Sequence, residues 1–191
     1  MNSAKENLTP QESLAVITSM IAQAKGNAEK NSFHFLLWGW TILIANLGVY
    51  ALLRFTTVEN PYLFWAITIP ASVVSAIVGA RQEKASLTST HLDTINKWIW
   101  ISYGIAVFTL VAFGKSINFQ INPVVITLTA VPTFVTGVIL RFTPLKLGGL
   151  AFWILGMITF LVPKEYQYLI AALAIALGYL VPGYMLKARK G

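Results

Sequence analysis

Cysteine is absent from this chain of 191 residues, so disulfides, thiolate metal sites and nucleophilic thiols are all excluded. Charge is scarce too. Asp, Glu, Lys and Arg together make up 11% of the residues and hydrophobic side chains 56%; a typical soluble domain carries roughly 25% charged residues. A water-soluble fold of this size would lack the polar surface to cover its apolar groups, and lipid is the natural alternative. The seven acidic residues (Glu6, Glu12, Glu29, Glu59, Glu83, Asp93 and Glu165) all lie outside the apolar runs, and no Lys or Arg lies in the middle of one. A charge at the centre of a bilayer costs at least about 2.5–3.5 kcal/mol and usually marks an ion path or proton relay. Their absence argues against a proton-coupled pump or a charge-selective channel. It also removes the paired carboxylates or His-Glu-x-x-His helix that intramembrane proteases need.

Other chemistry is thin. There are two histidines, His34 and His91, each near one end of an apolar run. With Asp93 they would form a ligand set only if their helices packed side by side. Isolated interfacial histidines are more often amphipathic anchors, so neither a metal nor a cofactor is expected. Ser72, Ser75, Thr127 and Thr133 have no histidine base at membrane depth on this reading, so no serine-hydrolase nucleophile is expected. Gly148-Gly149 is a lone pair, not a phosphate cradle. The chain reads as a non-enzyme. The net charge of +7 is spread between apolar runs, which suits anionic headgroups and topology rather than nucleic acid. The first 31 residues are polar and hold no apolar core with a small-residue cleavage site, so no cleaved secretory signal is expected.

What is present is a set of six apolar runs. A hydrocarbon core about 30 Å thick needs roughly 20 helical residues. Runs at Phe33–Leu53, Pro61–Ala80, Trp98–Gly114, Pro123–Leu140, Pro144–Val162 and Tyr166–Leu186 meet that demand or come close. The fold class is therefore all-α, a bundle of six transmembrane helices over residues 32–191. Asn60-Pro61, Asn122-Pro123 and Thr143-Pro144 each place a capping side chain before a proline. Pro70, Pro132 and Pro182 fall inside runs, where kinks are expected. Placing both termini in the cytoplasm puts eleven Lys and Arg inside and only Arg54, Lys115 and Lys164 outside. Aromatic residues at the run ends, among them Trp38, Trp40, Trp98, Trp100, Tyr62, Trp65 and Tyr166, read as interfacial belts.

A spacing recurs. Trp38 precedes Asn60-Pro61 by 22 residues, and Trp100 precedes Asn122-Pro123 by 22. Pro61 and Pro70 are nine apart, as are Pro123 and Pro132. The pattern fits a two-helix hairpin used repeatedly, with spans 5 and 6 as a degenerate third copy. Convergence of short membrane hairpins on Asn-Pro starts explains it equally well.

Small residues mark packing faces. Ala71, Ser75 and Gly79 recur every four residues on span 2, beside Ser72, Ala76 and Ala80. Such ridges let backbones approach closely, within the monomer or against a partner. Span 4 offers Thr129, Thr133 and Gly137. Asn46, deep in span 1, either hydrogen-bonds a neighbouring helix or contacts a ligand, and with Thr68 and Thr133 it would line a polar site between spans 2 and 4. Residues 1–31 form a leader, in which Thr9-Pro10-Gln11-Glu12 reads as a capping box opening a helix to about Lys30. Leu14, Ile17, Ile21 and Ala24 form its apolar stripe, suited to the membrane interface, the bundle mouth or another protein. Thr90 and Asp93 are spaced as another cap, extending span 3 about two turns.

The leader Glu12-Ser13-Leu14…Ile17…Met20-Ile21…Ala24-Lys25, followed by Leu36-Leu37-Trp38-Gly39-Trp40, resembles uncharacterised small polytopic inner-membrane proteins of bacteria. The likeness covers the first quarter of the chain. It implies a cytoplasmic-membrane address and assigns no activity or site residue. Two functions fit the whole. One is a membrane subunit or regulator, contacting a protein partner or a second copy through span 2 or the leader. The other is a binding subunit or carrier for a neutral or apolar small molecule.

Overall fold

The computed structural model describes residues 9–85 and 91–188, with the backbone alone for 11–13, 15–31 and 85. Among them no strand occurs, and six helical stretches are long and apolar enough to cross a membrane. The first helix, α1 (Pro10–Phe55), starts directly after Thr9 and runs 46 residues without a break. Leader and first span are thus one rod, roughly 70 Å long at 1.5 Å per residue. The side chains of Ile17, Ile21 and Ala24, and Thr90 altogether, lie outside the described residues.

The second span opens with a 3₁₀ segment, Pro61–Ile67, and continues as α2 (Thr68–Ala85). Pro70 is therefore the third residue of α2, just past the change of helix type. Then come α3 (His91–Ala112), α4 (Ile121–Ile139) and α5 (Thr143–Phe160). The start of α3 at His91 gives span 3 the two extra turns that its sequence suggests. The α4–α5 turn closes as a Schellman motif: Phe142 N–H bonds Gly137 O at 2.9 Å and Arg141 N–H bonds Val138 O at 3.1 Å. Arg141 takes the left-handed position (φ 49°) that glycine usually fills.

The last span is α6 (Lys164–Ile175), a π-helical turn (Ala176–Leu180) and α7 (Val181–Ala188) in unbroken succession. Pro182 explains the turn. It cannot donate to Gly178 O, and its ring would strike that carbonyl in a regular α-helix, so the preceding backbone widens.

Helices α1, α4, α5 and α6–α7 form the packed body, whose core includes Phe35, Ala130, Leu145, Phe152, Ala174 and Tyr179. Glycines bring its backbones together. A Cβ on Gly156 would strike Thr127 Oγ1, one on Gly149 would stand 2.7 Å from Phe134, and one on Gly148 2.8 Å from Gly178 O. Adjacent helical positions point about 100° apart, so the Gly148-Gly149 pair serves two neighbours, α6–α7 and α4. The remaining helices sit outside: 6% of span 2 and 0% of span 3 is buried, against 44% of span 4 and 56% of span 6. Helix α2 rests mainly on α1, and α3 mainly on α4.

Candidate functional site

Polar groups inside the apolar bundle are turned toward one another. On α3, Asn96, Trp100 and Tyr103 share a face by helical spacing. Antiparallel α4 answers with Thr136, Thr133 and Thr129. Thr136 Oγ1 donates to Asn96 Oδ1 at 2.7 Å and accepts from Trp100 Nε1 at 3.0 Å. The Tyr103 hydroxyl lies 2.6 Å from Thr129 Oγ1. Between these, Thr133 donates to Thr129 O at 2.7 Å and stands within hydrogen-bonding reach of Tyr179 in the π-turn. Edge-on rings enclose the ladder: Phe35–Trp100 at 5.8 Å, Phe35–Tyr179 at 5.4 Å and Phe152–Tyr179 at 5.0 Å between centroids. One face of α3 is thereby tied to α1, α4 and the last span, while the rest of α3 faces outward.

A second latch joins α1 to α2. Ser75 Oγ accepts from Trp38 Nε1 at 3.3 Å and lies 3.0 Å from His34 Nδ1. With the indole donating to Oγ, the hydroxyl hydrogen is free to point at the imidazole. The sequence suggests no histidine base at membrane depth for these hydroxyls; the structure sets His34, near the start of the first span, beside Ser75 on α2. On its other side His34 meets the side-chain amide of Gln82, and the indole occupies a lone pair of Oγ.

The two latches are built alike, with the second-helix hydroxyl offset by one residue. His34 and Asn96 are 62 residues apart, as are Trp38 and Trp100; Ser75 and Thr136 are 61 apart. In each hairpin an indole on the first helix and a polar group one turn before it meet the same hydroxyl on the second. The tryptophans, marked in the sequence as belt residues, are here interhelical donors.

The residues singled out from the sequence are divided by the structure. Asn46 is 1% exposed; its Nδ2 donates to Ile42 O at 2.8 Å, and its Oδ1 is buried without a partner among the described residues. Thr68 donates locally to Trp65 O at 2.7 Å. Thr133 belongs to the ladder on α4. Two grooves open on the surface, one of about 440 Å³ along α1 and one of about 360 Å³ beside Tyr62 and Tyr168, and none of these three residues lines either. On span 2, Ala71 is buried and Ser75 forms the α1 latch, whereas a Cβ on Gly79 would meet nothing within 4 Å. The ridge therefore turns from neighbour to open surface along its length. Among the described residues no three His, Asp or Glu come together, and the ion pair Lys97–Glu83, 2.8 Å, links α3 to α2.

No family model, curated protein or solved structure matches this chain.

Proposed function

We propose that the chain is a multi-pass protein of the bacterial cytoplasmic membrane, with both termini inside, acting as a non-enzymatic subunit or regulator through helix–helix contacts. The orientation follows from the eleven-to-three distribution of basic residues. The observation that carries the functional reading is the bareness of α2 and α3 beside a closely packed body. Their open surfaces carry small residues, Ser72, Ala76, Gly79 and Ala80 on α2 and Ser102 and Gly104 on α3, among larger apolar ones such as Ile77, Ile105 and Phe108. Facing lipid the small residues gain little; facing another helix they permit close backbone approach. The Ser72 hydroxyl is already bonded within its own helix, to Thr68 O at 2.8 Å, so the face can meet an apolar partner without an unpaired donor. Purification of the full chain in mild detergent should yield an oligomer or a stoichiometric companion. A lone monomer that gains nothing from native membrane extract contradicts the proposal.

The matched latches also support an internal duplication relating the α1–α2 and α3–α4 hairpins. A reading as carrier for a neutral or apolar small molecule rests on Asn46 Oδ1, a buried acceptor in search of a donor. Mass spectrometry of denatured wild type should then release a small molecule that Asn46→Leu protein lacks. Release of nothing removes that reading.

A further inference from the structure

The larger groove runs along the outside of α1. It is lined by Ser32, Leu36, Trp40, Thr41 and Ile44 of that helix, with Ile67 before α2, and Lys187 near the end of α7 borders it. From Ser32 to Ile44 is twelve residues, about 18 Å of helix. Half of a 30 Å hydrocarbon core is about 15 Å. The groove thus begins at the end of the bundle that carries Lys187 and stops near the midplane, the depth of a single leaflet. Its walls are mostly aliphatic and aromatic, with the hydroxyls of Ser32 and Thr41 among them. The bond from Trp40 Nε1 to the Tyr184 hydroxyl, 3.0 Å, ties α1 to α7 beside it. Lys187 is exposed, and the sequence continues with Arg189 and Lys190. An apolar channel one leaflet deep with a cation at its headgroup end is complementary to an amphiphile of opposite charge.

We propose that this groove binds one anionic phospholipid, with an acyl chain along Leu36, Trp40 and Ile44 and the phosphate at Lys187. The inference rests on the membrane reading above but not on the subunit reading. Basic sites between membrane helices on the cytoplasmic side take such headgroups by charge, while the tail supplies apolar contact. Lys187 is the selective element, since a zwitterionic lipid fills the same channel without a net charge to meet it. One lysine near an anionic surface contributes a factor of about five in affinity.

The test is native mass spectrometry of the full chain in mild detergent, titrated with phosphatidylglycerol or phosphatidylcholine of identical tails. Wild type should bind one phosphatidylglycerol about fivefold more tightly than phosphatidylcholine. Lys187→Glu should erase that preference, and Lys187→Arg should keep it. Ile44→Trp, which fills the channel floor, should lose both lipids, and Leu37→Trp, at another lining position of the groove, provides a second blocked channel if the first variant is unstable. Displacement of the lipid by soluble glycerol phosphate would overturn the assignment, because an anion site would then need no tail. An unchanged preference in Lys187→Glu, or undiminished binding in both tryptophan variants, would overturn it equally.

Discussion

The α4–α5 hairpin and the pair α2 and α3 are built from similarly apolar sequence, with mean hydropathy of 1.6 and 1.4 for spans 4 and 5 and 1.9 and 1.3 for spans 2 and 3. Yet 44% and 33% of the first pair is buried and 6% and 0% of the second. Hydrophobicity therefore does not decide which helices form the body. Where every surface is greasy, burial of apolar area distinguishes little, and close backbone approach and interhelical hydrogen bonds take over. The α4–α5 hairpin has Gly137, Gly149 and Gly156 where the opposing chain comes nearest. Helix α2 has Gly79 and α3 has Gly104, with open space before each. The same residue type closes one interface and leaves another vacant.

That contrast breaks most readily at Gly148. Valine there would drive its Cβ toward Gly178 O, a backbone atom that cannot rotate away, and should cost about 1–3 kcal/mol or more. Gly79→Val should stay within about 0.5 kcal/mol. Unfolding in mixed micelles measures both, and equal losses would abolish the distinction between body and outer helices. Next come the indole donors. Trp100→Phe and Trp38→Phe each remove one interhelical hydrogen bond, for which about 0.6–1.7 kcal/mol is expected. Trp100 should lie at the upper end, because its ring also packs on Phe35 and Tyr179.

A subtler comparison sets the two latches against each other. Since Asn96 performs in one hairpin what His34 performs in the other, His34→Asn should change stability by less than about 0.5 kcal/mol. His34→Ala should cost about as much as losing an indole. If asparagine rescues no better than alanine, the equivalence fails and duplication loses its main support. Little or no loss is expected at Asn46. Its half-satisfied amide can be replaced by leucine at little cost or with a gain of up to about 1 kcal/mol. A loss above that size would reveal a donor for Oδ1.

Much of the architecture is local and therefore legible in the sequence. The length of an apolar run depends only on consecutive residues, and the six expected spans overlap the six observed ones. The ends differ where polar residues continue the helix, as at Pro10–Asn31 before the first span and His91–Lys97 before the third. Which faces meet is a non-local property. The sequence places Ser75 on a small-residue row and Trp38 in an aromatic belt, but nothing local joins positions 37 residues apart. Thr133 was legible as a packing residue on span 4 and illegible as the partner of Tyr179. Gly79 shows the converse, a residue suited to close packing with no neighbour in the monomer to pack on.

Whether the open faces of α2 and α3 are covered in the cell decides between a partner-bound helix pair and one that faces lipid. The chain lacks cysteine, so single replacements report cleanly on a membrane-soluble maleimide. The decisive measurement compares labelling rates at Gly79→Cys, Ile105→Cys and Ala130→Cys in purified, reconstituted protein and in native membranes. At least one of the first two should react slowly in native membranes, and slowly in the purified protein too where the cover is a second copy, while Ala130→Cys stays slow in both. Equally rapid labelling of Gly79→Cys and Ile105→Cys in both settings would contradict a covered face, leaving these helices facing lipid alone.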